Sequence, residues 1–304
     1  MPEYATTLQG LTARVADLEA ELAAARRRAS AHALAQRDAP DAAELRRAIP
    51  AGEIEPWFQP VVDARHYRTV GVEVLARWRH PLRGLLLPAA FVPLAEDSGL
   101  IGALDGAIFD QACAITAPWV AQGLIGAVSC NVSPRDLTEP AFSASLITRL
   151  ARTRLPPSAL TVEITETFLL QDLALAKRHI QRLAARGVRV ALDDFGIGYS
   201  NLRALMALPI HTVKLDRTLI AGVGCDARVS KLVAALLQAA RTLDVQIVAE
   251  GVEDEAQAIF LRAAGCDRMQ GFWFARPMPE ADMAAALEKQ AQADVQDQPR
   301  RAAR

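Results

Sequence analysis

The sequence predicts an α/β protein built as a closed (β/α)8, TIM-like barrel with an antiparallel first strand. Three observations lead there. Eight strand-like apolar runs fall between about residues 54 and 288, helical stretches separate most of them, and no G-x-G-x-x-G turn follows the first run. Regular β–α alternation implies a parallel sheet, and eight strands in this length close more readily than they spread into an open doubly wound sheet. The missing glycine turn argues against a dinucleotide-binding fold.

Residues 1–48 differ from everything after them: they are rich in Ala, Arg and Glu, with no glycine after Gly10. Leu8, Leu11, Val15, Leu18 and Leu22 follow alternating three- and four-residue steps, the spacing of a coiled-coil seam. About two and a half heptads leave two readings open, a homodimerising coiled coil and a lone amphipathic helix packed on the main domain, with the coiled coil ahead. This segment is also where a protein partner would dock. Ile49–Pro50–Ala51–Gly52 breaks the pattern and places the barrel domain at 49–290. Strands are expected at Trp57–Val62, Val70–Trp78, Ala127–Val132, Leu160–Thr165, Val188–Asp193, Thr212–Leu215, Val245–Ala249 and Met269–Phe272. Only a short turn joins the first two, so they pair antiparallel. Helices are expected at Leu146–Arg154, Leu173–Arg186, Ser230–Thr242 and Glu255–Ala264. The polar tail 291–304, AQADVQDQPRRAAR, is expected to be disordered.

Composition is that of a globular protein, 51% hydrophobic and 23% charged, and a formal net charge of −1 gives no reason to expect duplex nucleic acid or an anionic membrane as partner. Cys113, Cys130, Cys225 and Cys266 show no CxxC or zinc spacing and read as reduced thiols of a cytosolic protein. The N-terminus has neither the basic nor the apolar region of a signal peptide, and no apolar run approaches the ~20 residues of a membrane span. A cytoplasmic protein is expected.

The polar residues fall where a barrel places its chemistry, at the C-terminal ends of strands. Period-two alternation puts Glu73, Leu75 and Arg77 on one face of VGVEVLARW. Asn131 lies near the end of VSCNVS, Glu163 within LTVEITE with Glu166 three residues on, Lys214 and Asp216 in VKLD, Glu250 at the end of VQIVAEG, and Gln270 in RMQGF. The apolar strand VRVAL runs straight into Asp193 and Asp194, two adjacent carboxylates that repel by about 4 kcal/mol at ~4 Å and an effective dielectric near 20. Each acid alone reads most simply as a helix cap. Their concurrence at successive strand ends points instead to divalent cations, and hard oxygen donors without His or Cys select Mg²⁺ or Mn²⁺ over zinc. Two such ions are the arrangement that clamps attacking and leaving oxygens in phosphoryl transfer.

The strings FQPVVD, GVEVLARWRHP, FVPLAEDSGLI, CNVSPRDL, VEITET, LDDFGIGYSNL, LPIHTVKLD, IVAEGVE and MQGFWFARPMP resemble, in order, the motif series of the EAL domain. That family comprises bacterial phosphodiesterases that linearise the second messenger cyclic di-GMP to pGpG. The resemblance implies that Glu73, Asn131, Glu163, Asp193 and Asp194 hold the metal pair. It implies that Glu250 and Lys214 prepare the attacking water, and that Glu166 steadies the loop Phe195–Ser200. Gln59, Leu75, Arg77, Asp216 and Gln270 match positions facing the cyclic di-GMP substrate. Ca²⁺, with longer and looser bonds, is expected to inhibit. Two positions depart from the pattern: Val74 stands where the family name has alanine, and Ile197 where threonine is commoner. By alternation Val74 points away from Glu73, so its extra methyls bear on packing. The alternative class is a non-catalytic cyclic di-GMP receptor signalling through its N-terminal helix. The complete acidic set favours the enzyme. A third reading, an unrelated metal-dependent lyase, explains the carboxylates but not the motif series.

Overall fold

The structure is a computed structural model describing residues 39–165, 172–196 and 208–302. The proposed seam between Leu8 and Leu22, Glu166 and Ile197 lie outside the described residues. The chain divides into two compact units at Glu44/Leu45. Helix α1 (Ala42–Ala51) opens with a reciprocal cap, in which Glu44 N donates to Asp41 Oδ1 at 2.7 Å and Asp41 N to Glu44 Oε2 at 2.9 Å. It runs through Ile49–Pro50, where the sequence reading ended the segment, and closes one residue later, the proline forfeiting one backbone bond of the last turn. Leu45 and Ala48 are fully buried in the barrel's core, so the barrel unit begins before residue 49.

β1 (Ile54–Asp63) pairs antiparallel with β2 (Thr69–His80), placing Gln59 opposite Glu73 and Trp57 opposite Leu75. β3 (Gly84–Leu86) extends β2 as a hairpin arm that the sequence reading lacked. β4 (Ala127–Asn131), β5 (Leu160–Thr165), β6 (Arg189–Phe195), β7 (Thr212–Leu215), β8 (Gln246–Ala249) and β9 (Arg268–Met269) follow in parallel from β2. β9 also pairs antiparallel with β1, and the β1–β2 pairing closes the ring at eight strands, with β3 outside it. β9 is shorter than the expected Met269–Phe272. At Gly271 a Cβ would stand 2.1 Å from the Val252 carbonyl oxygen, so the chain turns there and leaves Phe272 half exposed.

Helices α2 (Val92–Asp97), α3 (Ile101–Ala121), α4 (Pro134–Thr138), α5 (Phe142–Leu150), α6 (Leu173–Ala184), α7 (Arg217–Ile220), α8 (Ala227–Thr242), α9 (Glu255–Ala264) and α10 (Glu280–Ala302) accompany the strands. Asp172, Asp226 and Asp254 cap α6, α8 and α9 by accepting from backbone N–H groups of the first turn. α10 runs to Ala302, into the tail expected to be disordered, and Gln290 and Asp294 on it are tied to the barrel at Thr69 and Arg68. Val74 is 3% exposed and lines a cavity of about 600 Å³ with Leu104, Ile108 and Phe109, on the helical side of β2 as alternation implies. All four cysteines are free, with Cys225 alone exposed. Among the described residues no helix is long and apolar enough to cross a membrane.

Candidate active site at the strand ends

Lys214 sits in β7 with all four residues of that strand buried. An ammonium here is tenable only with anions around it, and four strands supply them. Its Nζ donates to Glu163 Oε2 at 2.7 Å and lies 2.7 Å from Glu250 Oε1, 3.3 Å from Asp193 Oδ1 and 3.5 Å from Glu73 Oε2. Burial works against its charge, but Glu163, Glu73, Glu250 and Asp193 outweigh it and hold the ammonium protonated.

One ammonium cannot satisfy four carboxylates. Burial would raise Glu73, yet Lys214 and hydrogen bonds from Asn131 and Gln270 hold it below the usual carboxylate range. Glu163 is driven the other way, well up, by burial and then by the charges of Glu73, Asp193 and Glu250. Glu250 is pushed to about 8, by burial first and then by Glu73 and Asp193. The ring is short of positive charge.

A neutral layer holds Glu73 in place. Asn131 Nδ2 donates to its Oε1 at 2.9 Å, and Gln270 Nε2 donates to its Oε2 at 2.7 Å and to Gln59 Oε1 at 3.1 Å. Gln59 in turn donates to the Ala275 carbonyl at 3.2 Å. The Oε1 of Gln270 is buried with no partner among the described residues. Gly251, just after Glu250, has φ +66, and a Cβ there would meet Arg217 Cβ at 2.3 Å, so the turn carrying Glu250 requires glycine.

The adjacent aspartates do not act as one pair. The β6–β7 register shifts between Leu192 and Phe195, and Asp194 has φ 56, a left-handed conformation that aspartate tolerates better than most residues. This bulge turns Asp193 toward Lys214 while Asp194 stays exposed and outside the contacts of the ammonium. Asp193 Oδ1 also accepts from Asp194 N at 2.9 Å. Burial, then Asp193 and Asp216, raise the Asp194 carboxyl above its ordinary value. Among the described residues no three His, Cys, Asp or Glu side chains are already gathered in a metal-holding cage; the four acids converge on the ammonium instead.

Of the other expected positions, Arg77 is buried with its Nε unpartnered among the described residues, and its guanidinium stacks 5.5 Å from the Trp57 ring centroid. Burial lowers its pKa against the opposing pull of Glu73. Leu75 is half buried beside it. Asp216 is engaged as the cap of α7, accepting from Thr218 N at 2.8 Å and Thr218 Oγ1 at 2.5 Å. Trp57 went unnoticed in the sequence. The signal was its place two residues from Gln59 on one strand, which puts both on one face.

An EAL domain model matches residues 42–277. The chain is 37% identical over 245 residues to MucR, a bifunctional diguanylate cyclase/cyclic di-GMP phosphodiesterase of Pseudomonas aeruginosa, covering 80% of this chain and 36% of that protein. It is 36% identical over 241 residues to RocR, a cyclic di-GMP phosphodiesterase of the same organism, covering 79% of this chain and 62% of that one. The chain thus spans less than two thirds of the length of these relatives. A solved structure of the PaMucR phosphodiesterase in complex with c-di-GMP superposes with a TM-score of 0.75 at 37% identity, covering 79% of this chain and 98% of that one. With the family model spanning most of the chain and the acidic strand ends converging on Lys214, this protein belongs to the EAL domain family.

Proposed function

We propose that this chain is a metal-dependent phosphodiesterase that hydrolyses cyclic di-GMP to linear pGpG in the bacterial cytoplasm, as a homodimer joined through its N-terminal seam. The observation that carries the reading is the buried ring of four carboxylates around one ammonium. The donor set fits divalent cations. It is all oxygen, it lacks positive charge, and burial pushes Glu163 and Glu250 toward holding protons in the absence of more. Glu73, Asn131, Glu163, Asp193 and Asp194 would hold Mg²⁺ or Mn²⁺. Such ions, when bound, polarise phosphoryl oxygen and make water acidic enough to attack near neutral pH.

The chain's own groups do the rest. Water adds to one phosphodiester, the P–O3′ bond breaks, and the water's proton ends on the departing 3′ oxygen. Glu250 is the base that takes the proton, and Lys214 holds Glu163 and Glu250 in position. Arg77, braced on Trp57, offsets phosphate charge, and Gln59, Leu75, Asp216 and Gln270 face the substrate.

Purified protein with Mg²⁺ or Mn²⁺ is expected to convert cyclic di-GMP to pGpG, to stop on chelation and to turn over poorly with Ca²⁺. Binding of intact cyclic di-GMP without hydrolysis in either metal would replace the enzyme with the receptor reading.

A further inference from the structure

The foot of the barrel, opposite the carboxylate ring, gathers arginines. Arg189 opens β6 and Arg268 opens β9, so both stand at N-terminal strand ends. Helix α10 covers that end, where Gln290 Oε1 accepts from Thr69 N at 2.8 Å and its Nε2 donates to Thr69 O at 3.0 Å. A cavity of about 470 Å³ remains, lined by Arg68, Arg189, Arg268, Asp63 and Asp294 among others.

Most of these charges are accounted for. Arg68 pairs with Asp294, and Asp63 accepts from the backbone N–H groups of Arg65, His66 and Arg68. Asp267, beside Arg268, accepts from Ile247 N at 2.9 Å. The guanidiniums of Arg189 and Arg268 make no hydrogen bond or ion pair with any described residue. Burial, and then the charge of Arg189, destabilise the cationic form of Arg268 against the opposing pull of Asp267. Two like charges facing one cavity cost stability unless an anion joins them.

We propose that this cavity is an anion site for a phosphate monoester, with Arg189 and Arg268 as paired forks. Planar guanidinium matches phosphate oxygens two at a time, and two forks suit a dianion better than a single carboxylate. The cavity is of small-molecule size, with room for an organic body beyond the bare ion.

The test uses the full chain with chelator, at constant ionic strength, titrated with glycerol 3-phosphate or inorganic phosphate and followed by calorimetry and melting temperature. Glycerol 3-phosphate is expected to raise the melting temperature of the wild type. R189Q/R268Q should weaken its binding at least about tenfold. Without ligand, that variant should melt no lower than the wild type, since the like-charge pair is gone. R189K/R268K keeps the charges but not the forks and should bind more weakly than the wild type. Equal binding by the lysine or glutamine variant would overturn the proposal. So would a large loss of stability in ligand-free R189Q/R268Q, or tighter binding of inorganic phosphate than of the ester.

Discussion

Two regions of this molecule bury surplus negative charge, and they handle it differently. At the barrel mouth, Glu73, Glu163, Asp193 and Glu250 surround Lys214. On α3, Asp105 lies against Asp136 of α4 and near Glu96 of α2, and makes no ion pair with a described residue. Ser133 offers only a long backbone bond of 3.4 Å to Asp105 Oδ2. Burial and then Asp136 push the Asp105 carboxyl up to about 7. The mouth has one fixed ammonium against four carboxylates, whereas the second cluster has no cation and pushes Asp105 toward holding a proton. Buried acidity alone therefore does not distinguish the two; the convergence of strand ends on a fixed cation does.

The largest expected effect comes from removing that cation. Lys214→Met leaves four carboxylates uncompensated and should cost about 3–5 kcal/mol in the metal-free protein, with turnover of cyclic di-GMP lost. Added Mn²⁺ should recover part of the stability, as read by melting with and without chelator. An unchanged melting temperature would erase the distinction between the two clusters.

Asp193→Asn should move activity and stability in opposite directions. Turnover should fall by at least about a hundredfold through loss of a ligand charge. The metal-free protein should melt no lower, because one repelling carboxylate is gone. A fall in both would mean that Asp193 serves the fold.

Asp105→Asn sharpens the comparison from the other side. The folded pKa of about 7 lies above the ordinary 3.8, so the folded state keeps a proton that the unfolded chain has already released. Wild-type stability should therefore decline as pH rises between those values and level off above them. Asparagine cannot ionise and lacks this slope. The variant should be more stable at pH 8 by on the order of 3 kcal/mol, and equal near pH 4, with turnover unchanged. Denaturant titrations across that range measure it, and a pH-independent difference would mean that Asp105 is not the proton's holder.

The smallest effect concerns Val74. Truncation to alanine should cost about 1 kcal/mol, since the side chain already borders a cavity rather than close-packed neighbours. Turnover per folded molecule should not change. A many-fold rise would place the residue in the chemistry.

The amino-acid order by itself determined the strands, the closed parallel barrel with its antiparallel start, and which residues stand at the strand ends. Those follow from period-two alternation of apolar and polar residues, which a strand records locally: Leu160–Thr165 and Thr212–Leu215 were legible to the residue, although the barrel buries both faces of each. Local periodicity says nothing about registers between distant strands, and those decided the rest. The bulge that parts Asp193 from Asp194 depends on how β6 pairs with β7. The central place of Lys214 depends on β5 and β8 bringing Glu163 and Glu250 to within 2.7 Å. Asp216, which the resemblance sets toward the substrate, also caps α7, a role that only the local geometry reveals. The docking of α10 at Gln290 and Asp294 rests on contacts to Thr69 and Arg68 some 220 residues away in sequence. That Arg189 and Arg268 line one cavity is likewise invisible in either strand alone, because the sheet order, not pattern, sets the foot of β9 and that of β6 at the same end of the barrel.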